Sequence, residues 1–194
     1  MKKIIFDLGN VLVRFNPDAF LKELFSDEQI IERCKEIYFN GLWNEYDRGF
    51  LRPYDMVEKA CRIYPENRKD FMLMMEKWTS YVTPIESSIK LIESLFKKGY
   101  DLYILSNIPK DCYEFLMQYE WFLKMSGVFS FQEKTIKPEE KIYQILLDRY
   151  HLKSQDCIFI DDKLENIQAA EKLGFTSYHC KDASQLPKGL ERIL

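Results

Sequence analysis

No cysteine pair in this chain has the CxxC spacing of a metal or redox site. Cys34, Cys61, Cys112, Cys157 and Cys180 are scattered and odd in number. That argues against a zinc centre and against a disulfide scaffold, and points to buried free thiols in a reducing cytoplasm. No apolar run approaches the roughly 20 residues needed to span a bilayer. The run after Met1-Lys2-Lys3 is too short for a secretory leader, and Asp7 interrupts it. Charge of one sign is also missing: Lys+Arg 28 against Asp+Glu 31 leave a formal net charge of -3. Neither nucleic acid nor an anionic membrane is therefore an expected partner. Internal repeats and low-complexity stretches are absent too. The expectation that remains is a cytoplasmic protein for a small molecule, monomeric or weakly homo-oligomeric.

What is present is apolar material in short blocks. Residues of hydrophobic type make up 46% of the 194 positions, enough for one core plus a small appendage. Strand character is read at Lys3-Asp7, Asp101-Ser106, Gly127-Ser130, Asp156-Asp161 and Phe175-Cys180. Four of these are nearly continuous apolar runs, as in parallel strands covered on both faces. Helical patterns separate them: one opened at Pro84-Ile85-Glu86 and stopped at Gly99, one opened at Pro138, one over Leu164-Leu173 closed by Gly174. The alternation predicts an α/β fold, a doubly wound parallel sheet. Residues 17–82 break it. They hold no convincing strand and read as helices over Pro17-Phe25, Asp27-Phe39, Leu42-Asp47, Pro53-Tyr64 and Asn67-Thr79. The expected organisation is an α/β core of residues 1–16 plus 83–194, with a small helical cap, 17–82, inserted over the strand ends where ligands bind in open sheets.

Polar residues stand at those strand ends. The first strand delivers Asp7, followed by Gly9-Asn10. The second ends in Ser106-Asn107, and the fourth in Asp161-Asp162. Lys137-Pro138 opens the helix before the fourth strand. Each residue alone has an ordinary reading as turn, cap or helix start. Together they suit phosphoryl transfer. A carboxylate attacks phosphorus, a hard divalent ion with oxygen ligands offsets charge, and a hydroxyl and a lysine bind the phosphate.

The ordered set Asp7-Leu8-Gly9-Asn10-Val11, Leu105-Ser106-Asn107, Lys137-Pro138 and Phe159-Ile160-Asp161-Asp162 resembles the haloacid dehalogenase-like hydrolase superfamily along the whole chain. The phrasing is most similar to the branch of bacterial α-D-glucose-1-phosphatases and of the amino-terminal phosphatase domain of soluble epoxide hydrolases. The resemblance implies a Rossmann-like core with an inserted cap and a magnesium-dependent phosphatase working through an aspartyl phosphate. It implies Asp7 as nucleophile and metal ligand, and Ser106 and Asn107 at the phosphoryl group. Lys137 would stabilise both. Asp162 would be the direct metal ligand, with Asp161 direct or through water, and Asn166 would orient the acidic pair.

Gly9 departs from the family pattern, in which a second Asp supplies the proton for the leaving group. Its backbone carbonyl still serves the metal, but such proton transfer is worth about 10²–10⁴-fold. A good leaving group, such as that of a sugar 1-phosphate, would reduce the need for it. Asp47 is a candidate substitute acid, although beside Arg48 it reads more simply as a surface acid. Trp43, Tyr46 and Arg48 are candidates for the substrate face of the cap, although Trp43 and Tyr46 read equally as packing its small core; Arg14 is a candidate for the pocket mouth or a solvated arginine. Trp78 and Tyr81 read as core. Two other functions remain open at this level: a weak or silent metabolite-binding member, supported by Gly9, and a metal-independent 2-haloacid dehalogenase, for which Asp161-Asp162 would be a liability.

Overall fold

The computed structural model describes residues 2–194. Its strands in chain order are β1 (Lys3–Phe6), β2 (Val13–Arg14), β3 (Thr83–Pro84), β4 (Leu102–Ser106), β5 (Ser126–Phe129), β6 (Cys157–Asp161) and β7 (Thr176–His179). Five of them form one sheet in the order β5-β4-β1-β6-β7. Every pairing in it is parallel. The five apolar runs of the sequence are thus the five strands of the sheet.

Side-chain alternation divides each strand between two cores. Ile4, Phe6, Ile104, Ile158 and Ile160 face one layer, while Ile5, Leu105, Cys157 and Phe159 face the other. Helices Glu140–Arg149 and Leu164–Lys172 close the second layer with Ile142, Tyr143, Leu146, Ile167 and Ala170. Helix Glu86–Lys97 contributes Ile92 and Leu95 to the first. Each such fully buried side chain contributes about 1.5–3 kcal/mol, and covering both faces is what makes these strands continuously apolar.

The helical segment joins the first layer. Tyr38, Met56, Phe71 and Trp78 belong to the same hydrophobic cluster as Phe6 and Ile160, so its core is continuous with that of the sheet. Helix Pro17–Leu24 starts where the Asn16 side chain accepts the Ala19 amide at 3.0 Å. Helix Glu28–Cys34 runs on without a break through a π-helical stretch, Lys35–Leu42, into Trp43–Asp47. The expected interruption after Phe39 is absent. Trp43 packs on Phe39 and Trp78 with ring centroids 4.5 and 5.0 Å apart. Those contacts outweigh the poor helix propensity of Asn40-Gly41.

Two features lie outside the sequence reading. The antiparallel pair β2–β3 ties together the points where the chain leaves and rejoins the sheet layer. Short helices at Lys110–Leu116, Glu120–Leu123, Ser130–Glu133 and Leu186–Glu191 occupy stretches read as having no element. Among the described residues no helix is long and apolar enough to cross a membrane, and all five cysteines are free.

Candidate active site

Sheet register decides what meets at the strand ends. Phe6 pairs with Ile104 on one side and Ile160 on the other. Asp7, Leu105 and Asp161 therefore lie at one level, with Ser106 and Asp162 one residue further on. The Asp7 amide donates to the Ile160 carbonyl at 2.8 Å and continues the ladder. The chain then turns sharply: the Leu8 carbonyl accepts the amides of Val11, Leu12 and Val13. Asn10 sits in the left-handed region at φ 53, which Asn tolerates better than most residues. Its side chain accepts the Phe15 amide at 3.2 Å and donates to Asp162 Oδ2 at 3.1 Å.

Lys137 is the centre of the cluster. Its Nζ donates to Asp7 Oδ1 and to Asp161 Oδ2, each at 2.6 Å, and the lysine is only 3% exposed. Burial works against its charge, but Asp161 and Asp7 outweigh that and hold its pKa above the usual value. Asn107 fixes the backbone on which it stands. Asn107 Nδ2 donates to the Lys137 carbonyl at 2.9 Å, and Oδ1 accepts the Lys137 amide at 2.7 Å. Both polar atoms of the Asn107 side chain are thus engaged with the Lys137 backbone. Asn166 donates to both oxygens of Asp161 at 3.0 and 3.1 Å, and the Lys163 amide donates to Asp161 Oδ1 at 2.8 Å.

Three carboxylates face one ammonium here. Asp7, Asp161 and Asp162 each offer an oxygen within 4.8 Å of the others. Burial pushes Asp7 up to about 7; Lys137 pulls down, and Asp161 and Asp162 add to the rise. A buried cluster with excess negative charge and hard oxygen donors fits a divalent cation such as Mg²⁺. Asp161 already has protein donors on both oxygens, whereas Asp162 accepts Asn10 alone among the side-chain donors described. Gly9 adds no bulk: a Cβ built there meets only Asp7 Oδ2, at 3.8 Å.

A cavity opens beside this cluster. Gly9, Ser106 and Asn107 line it from the strand ends, Trp43 and Asp47 line it from the helical segment, and Val13, Phe15, Trp78, Ile108 and Leu116 add apolar surface. Of the three cap residues expected at the substrate, Trp43 reaches the cavity. Tyr46 is 1% exposed and is not part of the lining. Arg48 turns away to pair with Glu139, with Nη1 to Oε2 at 3.1 Å. Arg14 is exposed, and its neighbour Phe15 is the residue that lines the cavity. Asp47, read from the sequence as a surface acid or as a substitute proton donor, is buried in the cavity wall. Trp78 is buried as expected, yet it also lines the cavity and donates Nε1–H to Asp111 at 3.0 Å.

The sesquiterpene phosphatase astK of Aspergillus oryzae is 28% identical over 186 residues, covering 94% of this chain and 91% of that protein. Flavin mononucleotide hydrolase 1 of Arabidopsis thaliana is 24% identical over 202 residues, covering 98% of this chain and 76% of that one. Among solved structures, the haloacid dehalogenase family enzyme BT-2542 of Bacteroides thetaiotaomicron, in complex with magnesium and inorganic phosphate, has the same fold. The TM-score is 0.72 at 21% identity, over 92% of this chain and 93% of that one. The model of a hydrolase family, haloacid dehalogenase-like hydrolase, matches residues 1–174. With the parallel sheet order and the family model matching residues 1–174, this chain belongs to the haloacid dehalogenase-like hydrolases.

Proposed function

We propose that the protein is a magnesium-dependent phosphatase that hydrolyses a small phosphate monoester through an aspartyl phosphate. The observation that carries this reading is the charge imbalance around Asp7, where three buried or half-buried carboxylates converge and one lysine pairs with two of them, beside an open cavity. Asp7, Asp162, the Gly9 carbonyl and Asp161, directly or through water, would hold Mg²⁺, which when bound offsets the repulsion between carboxylate and phosphate. An Asp7 carboxylate oxygen attacks phosphorus, and the bond from phosphorus to the ester oxygen breaks. Lys137 and the Ser106 hydroxyl face the phosphoryl oxygens, and Asn107 holds Lys137 in place. Water then releases inorganic phosphate and regenerates Asp7. The dehalogenase reading is disfavoured, because a metal-free site would leave excess negative charge beside an anionic nucleophile.

The cavity wall supports a finer reading of the leaving group. Phe15, Trp43, Trp78, Val13, Ile108 and Leu116 offer surface rather than hydrogen bonds. An apolar alcohol fits that wall better than a sugar, and the name of the astK relative points the same way. The sugar 1-phosphate expectation rested on the branch resemblance, on leaving-group acidity and on polar cap residues, of which Arg48 is held by Glu139. Phosphate release from prenyl monophosphates, glucose 1-phosphate and flavin mononucleotide, each with EDTA and then with excess Mg²⁺, tests both levels. Release that stops in EDTA and is fastest with the prenyl ester supports the reading. Preference for glucose 1-phosphate overturns the apolar leaving group. Tight binding without release, or metal-independent halide release from 2-haloacids, overturns the phosphatase.

A further inference from the structure

Gly9 leaves the reaction short of a proton. Phosphoryl transfer to Asp7 expels an alkoxide unless an acid protonates it, and nothing on the strand-end turn can do so. The backbone itself leaves room at that position, with a single atom within 4 Å of a built Cβ. An acid therefore has space to act there if it enters from the opposite wall.

Asp47 occupies that wall. It lines the same cavity as Gly9, Ser106 and Asn107 and is 7% exposed. Its Oδ1 is buried without a hydrogen-bond partner among the described residues. An unpartnered buried carboxyl oxygen is costly and rare unless a ligand or proton completes it. The surrounding chain is fixed through its backbone instead. Ser130 Oγ donates to the Asp47 carbonyl at 2.5 Å, Lys134 Nζ donates to the Gly49 carbonyl at 2.7 Å, and Arg48 pairs with Glu139. Three anchors from the layer beneath the segment thus hold residues 47–49, and the carboxyl itself remains uncommitted.

We propose that Asp47 is the proton donor to the leaving oxygen and the base in the second half-reaction, taking the role for which Gly9 has no side chain. The proposal rests on the phosphatase reading above. In the first step Asp7 Oδ bonds to phosphorus, the ester P–O bond breaks, its electron pair stays on the leaving oxygen, and the Asp47 proton moves to that oxygen to give the alcohol. In the second step water bonds to phosphorus as Asp47 carboxylate takes one of its protons. The bond between phosphorus and Asp7 breaks, and Asp7 carboxylate, inorganic phosphate and protonated Asp47 result. The protonation state suits the first step. Burial pushes Asp47 up to about 8; Lys163 and Lys137 pull it down, while Asp7 and Asp111 push it further up.

The test uses the full chain with saturating Mg²⁺, an alkyl phosphate and p-nitrophenyl phosphate. For Asp47→Asn, kcat/KM for the alkyl ester is expected to fall about 10²–10⁴-fold, against less than tenfold for the aryl ester. The aryl ester should also show a burst of phenolate followed by slow turnover. Adding Gly9→Asp to that variant should restore alkyl turnover. Equal losses on both esters without a burst, or no loss, would overturn the proposal. If Asp47→Asn does not fold, the wild type decides: kcat/KM for the alkyl ester should fall above about pH 8 while the aryl ester holds, and superimposable profiles overturn it. Wild-type protein that releases phosphate from neither ester refutes the phosphatase reading, which separates the two failures.

Discussion

The charge imbalance at Asp7 should make the metal-free protein lose stability as pH rises through neutrality. Asp7 titrates near 4 when the chain is unfolded and at about 7 in the folded protein, where burial favours the neutral form. The folded state then binds more protons than the unfolded state between those values. Stability is fully present at acidic pH and falls as pH climbs through 7. At 1.36 kcal/mol per unit of pKa difference, Asp7 alone accounts for a loss of about 2–3 kcal/mol between pH 5 and pH 8. Asp47, raised to about 8 by burial, adds a loss of the same sign over the same window. Carboxylates held low act oppositely, but they finish below that window. Glu139, held at about 2 first by its bonds from Arg48 and Thr135, is an example. Urea unfolding in EDTA at several pH values measures the effect. Asp7→Asn, which mimics the protonated carboxyl, should remove about 2–3 kcal/mol of the fall. Mg²⁺ at 100 times its dissociation constant should return about 2.7 kcal/mol to the wild type at pH 8 and far less to the variant. A wild type whose stability is flat or rising from pH 5 to pH 8, with Asp7→Asn parallel to it, would refute the electrostatic account.

Other substitutions probe separate links. Lys137→Met leaves two carboxylates without their buried partner, so it should cost about 3–5 kcal/mol at pH 8 by urea unfolding, and less at pH 5. Asn107→Ala removes both bonds to the Lys137 backbone. It should cost about 1–3 kcal/mol and lower kcat far more than it changes KM in steady-state assays. Gly49 has φ 70, and a Cβ there would lie 2.7 Å from the Phe131 carbonyl oxygen. Gly49→Ala should therefore cost about 2–4 kcal/mol and, by displacing Asp47, slow alkyl esters more than aryl ones.

The sheet was legible because its strands are buried on both faces and leave unbroken apolar runs such as Cys157-Ile158-Phe159-Ile160. The acids and the lysine were legible because parallel strands put their ends on one edge. Contacts made across the fold were not. Asn107 follows Ser106 and reads as a phosphate ligand, yet Lys137, 30 residues later, takes both its polar atoms. Arg48 looked free to meet substrate until Glu139, 91 residues away, claimed it. The two-residue strands β2 and β3 carry too little pattern to be read at all. Asp47 did leave one signal. It lies four residues after Trp43, so the two share a helix face, and a substrate face that includes Trp43 carries Asp47 with it.

Moving the acid from the strand-end turn to the helical segment changes what catalysis depends on. An acid on the turn after β1 moves with the nucleophile, and its geometry is settled by the sheet. Asp47 is placed instead by the anchors at Ser130, Lys134 and Glu139, and those lie on a different stretch from Asp7. Nucleophile and proton donor are then correctly spaced only while the segment is seated. The apolar wall follows the same logic, since Trp43 stands one turn before Asp47 and its ring packs on Phe15, next to the turn, with centroids 5.7 Å apart. An apolar leaving group packed against these rings would set its oxygen beside the acid carried one turn further along the same segment. A polar leaving group of equal size gains nothing from that wall. Selectivity should therefore appear in the chemical step as well as in binding, because the surface that recognises the substrate also carries the proton.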